Sequence, residues 1–229
     1  MNAINKWAKR SVWLTLAAVL TIGCNPLQTL GFIFRDDPKI QPKYPLRPKE
    51  GPKKERDAEI SVLILCLQRQ GLPIEFGGSD RELAADMSRI LPDMAKLNKD
   101  KLRLVSADDL ANYQAKHPNW RTLSAAQIGK ALGADCVIQA YIASASLYQP
   151  GTQNQLYDGK AEVEVNVYDL TGEKPVERHY NHPFEYKPNK SPDVSNTNVN
   201  VYRQGFLETL ARQLCWKHVE HPSSDEIAP

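Results

Sequence analysis

Histidine and cysteine side chains are the first candidates for chemistry in this sequence, because they ligate metals and transfer protons. His218 and His221, with Cys215 one turn earlier, could share a face near the end of a predicted helix. A structural metal site needs four ligands and usually a second cluster of them, so interaction with the negative end of the helix dipole is favoured instead. His179 and His182 lie at the end of a predicted strand, where side chains alternate, and are not expected to converge. We therefore predict no metal and no cofactor.

Carboxylates and nucleophiles give no stronger catalytic signal. Glu162 and Glu164 alternate with apolar residues on a predicted strand, so solvation of an exposed face is favoured over a catalytic carboxylate pair. The sequence contains no glycine-rich phosphate loop, no G-x-S-x-G motif and no C-x-x-C motif. We predict a protein without catalytic residues, and a hydrolase with an unrecognised site is the alternative.

Three aromatic residues that lie close to charged residues are candidates for contact with a partner. Trp120 precedes Arg121, and Phe184 and Tyr186 flank Glu185 in a stretch predicted to be a loop. Aromatic residues with neighbouring charge are enriched at the energetic centres of interfaces. Packing against the core is the alternative role for each of the three.

Cys24 follows a segment with the order of a secretory signal. Residues 1–10 carry three basic residues and no acidic one, residues 12–22 form an almost unbroken apolar run, and Gly23 is small. Eleven helical residues rise only ~16 Å, about half of the ~30 Å hydrocarbon core. A membrane-spanning helix would have to continue past Asn25, Pro26 and Gln28, and it is the alternative to a cleaved signal.

The sequence Thr21-Ile22-Gly23-Cys24 resembles the lipobox of bacterial lipoproteins, with threonine where leucine is usual. The resemblance implies signal cleavage between Gly23 and Cys24 and acylation of the Cys24 thiol. More than one acyl chain would make attachment to membrane lipid effectively permanent. Because Asn25 rather than aspartate follows, the lipoprotein sorting rule implies the outer membrane, with the domain facing the periplasm.

The distribution of charge argues against a nucleic-acid partner. The formal net charge of the whole chain is +2. The first 23 residues and residues 24–57 are both basic, so the remainder of the chain is acidic. A nucleic-acid-binding domain presents a basic face. The basic segment next to Cys24 is suited instead to anionic lipid head groups.

Three cysteines remain besides Cys24, namely Cys66, Cys136 and Cys215, and all three lie in apolar contexts. Buried thiols that pack as small apolar groups are the favoured interpretation. A disulfide between two of them is the alternative for an exported protein.

Residues 24–57 predict a tether between the lipid and a domain. Each proline fixes its own φ and favours extended geometry in the residue before it. The tether contains six prolines, interleaved with lysine and arginine: Pro26, Pro38, Pro42, Pro45, Pro48 and Pro52. The predicted organisation is a signal peptide at 1–23, the tether at 24–57, an α/β domain at 58–221 and a disordered tail at 222–229.

The pattern of the domain predicts a mixed sheet. Residues 59–67 are apolar on both alternating faces, which is typical of a central strand covered on both sides. A helix capped by Ser79 or Asp80 follows, and Pro92 is expected to kink or shorten it. Further predicted elements are strand 102–105, helix 106–116, helix 124–132, strands 136–147, 160–170 and 174–180, a polar loop at 181–200 and helix 201–218. This order predicts parallel βαβ crossovers, then an antiparallel meander and a long closing helix.

Two passages are similar to a fold shared by several envelope proteins. One is the short helix that ends in Leu132-Gly133-Ala134-Asp135 and continues into the strand Cys136-Val137-Ile138. The other is the strand and turn Val165-Asn166-Val167-Tyr168-Asp169-Leu170-Thr171-Gly172-Glu173. They resemble the fold of the TolB amino-terminal domain, the curli-export protein CsgG and LpoB, the lipoprotein activator of a penicillin-binding protein. The resemblance covers about residues 58–218 as an order of elements.

The resemblance implies a lipoprotein whose tethered domain binds an envelope protein or a peptidoglycan component without catalysing a reaction. The sequence lacks the pair of long amphipathic hairpins of a CsgG-like pore, and nothing in it resembles a following β-propeller. The lipidated cysteine, proline-rich spacer and single domain are most similar to LpoB. A subunit of an envelope export assembly and an envelope hydrolase are the alternatives.

Overall fold

The structure is a computed structural model that describes residues 38–46, 58–188 and 193–226. The predicted signal peptide, Cys24 and most of the predicted tether lie outside the described residues. The chain from Lys39 onward forms one compact unit. Its elements are β1 Lys39–Ile40, β2 Ile60–Gln68, α1 Ser79–Leu97, β3 Leu102–Leu104, α2 Ala107–Lys116, α3 Ala125–Ala131, β4 Cys136–Tyr148, β5 Tyr157–Asp169, β6 Val176–Tyr186, α4 Val199–Trp216 and β7 His221–Pro222.

Five of the strands form one mixed sheet in the order β3, β2, β4, β5, β6. β2 pairs in parallel with β3 and β4, whereas β5 pairs antiparallel with β4 and β6. β1 and β7 form a separate antiparallel pair. The predicted α/β class is confirmed, with parallel crossovers first, then an antiparallel meander and a long closing helix.

The larger core lies between one face of the sheet and the helices α1 and α4. The predicted apolar rows of both helices are confirmed, because their members are buried against the alternate residues of β2, β4 and β5. The helices contribute Leu83, Met87, Leu91, Phe206, Leu210 and Leu214, and the strands contribute Val62, Ile64, Ile138, Val163, Val165 and Val167.

A smaller core covers the opposite face of β2 and the beginning of β4. Leu63, Leu65 and Val137 pack there against Ile128 of α3. β2 is therefore buried on both faces, as its sequence predicts. α3 begins with a capping box, in which the Ser124 side chain accepts from Gln127 N–H and the Gln127 side chain accepts from Ser124 N–H.

Asp135 joins three strands at the edge of this smaller core. Its carboxylate Oδ2 accepts a hydrogen bond from Ser61 N–H at 2.8 Å, and its own N–H donates to Ser61 O at 2.8 Å. Its carbonyl accepts from Leu170 N–H, also at 2.8 Å. Gly133, with φ of +67°, ends α3 just before this residue. The Leu-Gly-Ala-Asp passage therefore has a structural role.

Two elements are longer than the sequence predicts. α1 continues through Pro92 to Leu97 without being shortened, because Leu91 and Ala95 on either side of the proline are buried in the larger core. This burial offsets the one helical hydrogen bond that proline cannot make. β6 extends to Tyr186, so the stretch predicted as an aromatic loop is strand instead, paired along its length with β5. Pro183 is tolerated there because β6 is an edge strand.

Two segments that the sequence predicts to lie outside the domain are packed on it. Residues 39–46 belong to the predicted tether, yet Ile40 lies in β1 and Leu46 is only 8% exposed. At the other end of the chain, part of the predicted disordered tail forms β7 and a 3₁₀ turn at Ser223–Glu226. In residues 39–46, apolar side chains such as that of Leu46 attach the segment to the domain, and the spacing of the prolines does not predict this attachment.

Cys66, Cys136 and Cys215 are free and buried. Burial raises the pKa of all three thiols, that of Cys136 to about 12. Their predicted role as small apolar groups in the core is confirmed. Among the described residues, no helix is both long enough and apolar enough to cross a membrane.

We expect Gly159→Ala to destabilise the domain, because a Cβ atom there would lie 2.6 Å from Cδ2 of Phe206, in the centre of the larger core. Overpacking of this kind costs about 1–3 kcal/mol. Chemical denaturation should show this loss. Gly172→Ala is the matched control, since its Cβ would approach only the Lys174 carbonyl oxygen, at 3.6 Å, and its stability should stay close to that of the wild type. Equal stability of the two variants would contradict the described packing of β5 on α4.

Candidate interaction surface

The antiparallel part of the sheet presents one face to α1 and α4 and the other to solvent. We call the solvent-facing side of β4, β5 and β6 the open sheet face. Its cross-strand rows, read from the register, are Gln139–Asn166–His179, Tyr141–Glu164–Asn181, Ser144–Glu162–Pro183 and Ser146–Lys160–Glu185. Glu162, Glu164, Asn181 and Pro183 are exposed, while the alternate residues of β5 are buried. The predicted strand with one wet face is therefore confirmed.

A concave trough of about 530 Å³ lies at the hairpin end of the open sheet face. The register of β4 against β5 shifts between Ile142 and Ser144, and such a bulge increases the local bend and twist of a sheet. The polar lining of the trough comes from two of the rows named above, through Ser144, Ser146, Lys160, Glu162 and Glu185, and its apolar lining from Ala145, Ala161, Pro183 and Phe184. The trough can therefore receive a protruding group from a partner.

Glu162 is the one charged side chain lining this trough that has no ion-pair partner among the described residues, since Lys160 and Glu185 each form an ion pair. Lys160 Nζ lies 2.6 Å from Asp158 Oδ2, and Glu185 Oε2 lies 2.9 Å from Lys187 Nζ. Within the described residues, Glu162 and Glu164 make no hydrogen bond or ion pair. Both project from β5 into solvent on the same face, two residues apart. This arrangement suits recognition of hydrogen-bond donors or cations.

Trp120 lies at the edge of the smaller core, on the same side of the sheet as the open sheet face. It packs against the smaller core and remains partly exposed. The Arg121 guanidinium carbon lies 4.8 Å from the centre of its ring. Trp120 thus has a packing role and a free edge that a partner could contact.

Phe184 and Tyr186, the other two predicted contact residues, lie on the core side of β6. Phe184 is 4% exposed and its ring meets that of Phe206 edge to face, with ring centres 5.0 Å apart. Tyr186 is half-buried and packs against Tyr202, with ring centres 5.1 Å apart. Both residues therefore fill the alternative role of core packing. The predicted lipidation residue, Cys24, lies outside the described residues.

His218 forms a buried polar contact with two tyrosines. Its Nδ1 lies 2.9 Å from the Tyr44 carbonyl oxygen, and its Nε2 lies 3.0 Å from the Tyr180 hydroxyl. A carbonyl only accepts, so Nδ1 carries the proton and Nε2 accepts from the tyrosine. The rings of Tyr44 and Tyr180 stack, with centres 4.2 Å apart and planes at 8°. We call these three side chains the His218 cluster.

Desolvation keeps His218 and His182 neutral. Burial lowers the pKa of His218 from 6.5 to about 4, against the opposing effect of its hydrogen bond to Tyr44. Burial, together with the charge of Lys217, also lowers the pKa of His182 to about 4. The predicted stabilisation of a charged His218 by the helix dipole is therefore wrong, because the energetic cost of burying the charge is larger.

The residues considered as metal ligands are not brought together. His218 is bonded within its cluster, His221 stacks on Trp216 with ring centres 5.1 Å apart, and the Cys215 thiol faces the Met87 carbonyl at 4.0 Å. His179 Nδ1 is bonded to Asn166 on the open sheet face, whereas His182 is buried on the other face. Within the part of the chain that the structure describes, no three His, Cys, Asp or Glu residues form a group that could hold a metal ion.

No protein-family model matches the chain, and no curated protein matches it. Solved structures with a similar fold include the hypothetical protein CT253 from Chlamydia trachomatis, which is 18% identical, covers 69% of this chain and 96% of its own, and has a TM-score of 0.37. Lipoprotein GNA1162 from Neisseria meningitidis is 10% identical, with coverages of 68% and 97% and a TM-score of 0.38. The LpoB C-terminal domain from Salmonella enterica is 14% identical, with coverages of 56% and 83% and a TM-score of 0.32.

The structures similar to this chain therefore include lipoproteins, and LpoB, to which the sequence is predicted to be similar, is one of them. At these identities and TM-scores, neither a partner nor an activity follows from the comparison.

We expect the stability of the domain to fall as the pH falls from 7 to 5. His218 and His182 are protonated in the unfolded chain below pH 6.5 but in the folded domain only near pH 4. The unfolded state therefore binds more protons in this window, and each histidine costs about 2 kcal/mol of folding free energy at pH 5. The measurement is urea denaturation at a series of pH values.

The variant His182→Gln should lose about half of the dependence of unfolding free energy on pH between pH 7 and 5. Carboxylates that titrate near the lower end of the window are present in both proteins, so the difference between the two curves reports the histidine. Curves that run parallel from pH 7 to pH 5 would contradict the assignment of His182 as a buried neutral group.

Proposed function

We propose that this protein is a lipid-anchored bacterial envelope lipoprotein whose domain binds another envelope protein or a peptidoglycan component through its open sheet face, without catalysing a reaction. The observation that carries this proposal is the exposure, beyond the start of β4, of the side of β4, β5 and β6 that faces away from α1 and α4, including the trough. The opposite side of the same three strands is packed against α1 and α4.

The open sheet face has properties of a contact surface. Its rows combine carboxylates, amides, hydroxyls and the half-buried Tyr141, which together offer hydrogen-bonding and apolar contact over three adjacent strands. Tyrosine contributes large contact area at low entropic cost and is enriched at interfaces. Glu162 adds an unpaired acceptor in the trough, and Trp120 extends the aromatic surface on the same side of the sheet.

The location in the envelope is supported by the amino-terminal sequence. The basic residues, the apolar run and the segment from Thr21 to Cys24 follow the order of a lipoprotein signal. Acylated Cys24 would hold the domain at a membrane, and Asn25 favours the outer membrane facing the periplasm. Partners are then confined to molecules within reach of that membrane.

We expect the membrane-bound wild-type protein to begin at Cys24 and to carry diacylglycerol and a further acyl chain on that residue. Cys24→Ala should remove the lipid and the processing together, because the thiol is the acylation site. Intact-mass spectrometry of the membrane fraction measures both. An unprocessed and unmodified amino terminus in the wild type would contradict the lipid anchor.

We also expect a photo-crosslinking amino acid at Asn181, on the open sheet face, to give discrete crosslinked products in the bacterial envelope. Leu97 is the matched control position, because it is 77% exposed but lies at the end of α1, on the core side of the sheet. Mass spectrometry and muramidase digestion of the products distinguish a protein partner from peptidoglycan. Crosslinks that are equally abundant from both positions, or absent from Asn181, would contradict the proposed surface.

A further inference from the structure

We propose that residues 39–46 act as a releasable clasp that stores tether length on the surface of the domain. This inference rests on the proposed function for its meaning in the cell, since a stored length matters only if the chain is anchored before residue 39. The contacts that carry it are all within the described residues.

The clasp is held at three points. At its centre, Tyr44 N–H donates to Lys217 O at 2.8 Å and the Tyr44 carbonyl accepts from His218, so both backbone groups of this residue are bonded to the end of α4. At its start, β1 pairs with β7, and Lys39 Nζ lies 3.2 Å from Glu220 Oε1. At its end, Leu46 is buried in the larger core.

The β1–β7 pairing and the Lys39 ion pair lie outside the core of the domain, whereas Leu46 lies within the larger core and Tyr44 packs against it. β1 pairs with β7 and not with the five-stranded sheet. The stack of Tyr44 on Tyr180 covers the outermost strand of the sheet, and the ion pair of Lys39 is half-exposed. Segments with few buried contacts and exposed hydrogen bonds open at a lower free energy than the core. The sheet and its four helices would keep their mutual contacts if residues 39–46 detached.

Opening the clasp changes how far the domain can lie from Cys24. With the clasp closed, Lys39 lies fifteen positions after Cys24, and a chain of that length reaches at most ~50 Å. With the clasp open, Ala58 lies thirty-four positions after Cys24, and the limit rises to ~120 Å. The clasp therefore sets the length of free chain between an anchored Cys24 and the point where the chain attaches to the domain.

The experiment pulls single molecules of the chain from residue 25 to 229, which omits the Cys24 thiol, in optical tweezers, with one handle at an enzymatic tag before residue 25 and the other at Glu173→Cys in the β5–β6 turn. The buried thiols of Cys66, Cys136 and Cys215 do not compete for the second handle. We expect a reversible lengthening of up to ~65 Å, the span of the nineteen residues from Lys39 to Ala58, at a force below that of domain unfolding.

Two variants test whether this lengthening is the release of the clasp. Tyr44→Pro removes the N–H donor to Lys217 and the ring that stacks on Tyr180, so the early lengthening should disappear while the later unfolding step remains. Tyr44→Phe keeps the ring and both backbone bonds and should behave as the wild type. A wild type without the early step, or one in which residues 39–46 detach only when the whole domain unfolds, would overturn the proposal. No lipid is involved in this measurement, so its failure is distinguishable from failure of the lipid anchor.

Discussion

The burial of both faces of β2 is the constraint on which the rest of the structure depends. Leu63 and Leu65 point to one side of this strand, and Val62 and Ile64 to the other, so two layers of helix are required to remove them from water. α1 and α4 supply one layer, and α2 and α3 supply the other. β4 lies next to β2 and needs the same two layers only at its beginning, where Cys136, Val137 and Ile138 are consecutive and buried.

The open sheet face exists because α2 and α3 are much shorter than the strands β4 and β5. α2 and α3 have ten and seven residues and rise about 15 Å and 10 Å, whereas the thirteen residues of β4 and of β5 extend about 43 Å. The short helices cover the start of β4 and end there. Beyond that point the strands carry polar residues on one side only, and this polar side is where contact with a partner is proposed.

The His218 cluster shows how the amino-terminal segment becomes part of the domain. A buried imidazole nitrogen without a hydrogen-bond partner costs folding free energy. Tyr180 of β6 satisfies one nitrogen and the Tyr44 carbonyl satisfies the other, across 174 positions of sequence. The neutral His218 and the stacked Tyr44 and Tyr180 therefore attach residues 39–46 to the domain, although the prolines of this segment predict a free spacer.

The sequence by itself determined the class of the fold, the order of its elements and the faces of its strands. These depend on local periodicity: the two-sided apolar run of β2, the strict alternation from Ala161 to Val167, and the four-residue row from Tyr202 to Leu214. It also identified the caps at Ser106 and Ser124, because a cap is a contact between residues three apart. For the candidate surface, it placed Glu162 and Glu164 on the wet side of a strand. Lipidation of Cys24, which rests on the resemblance to a lipobox, stays a prediction, because Cys24 lies outside the described residues.

Only the tertiary structure decided which residues lie at the surface and which fill the core. Phe184 and Tyr186 adjoin charged residues in sequence, yet β6 extends through them and its alternation directs both toward α4. Glu162 lies in a trough because β4 bulges beside it, and residues 39–46 attach because Tyr180 and His218 meet Tyr44 there. Each of these outcomes depends on side chains far apart in the chain, whose approach is set by strand register and helix length rather than by local pattern.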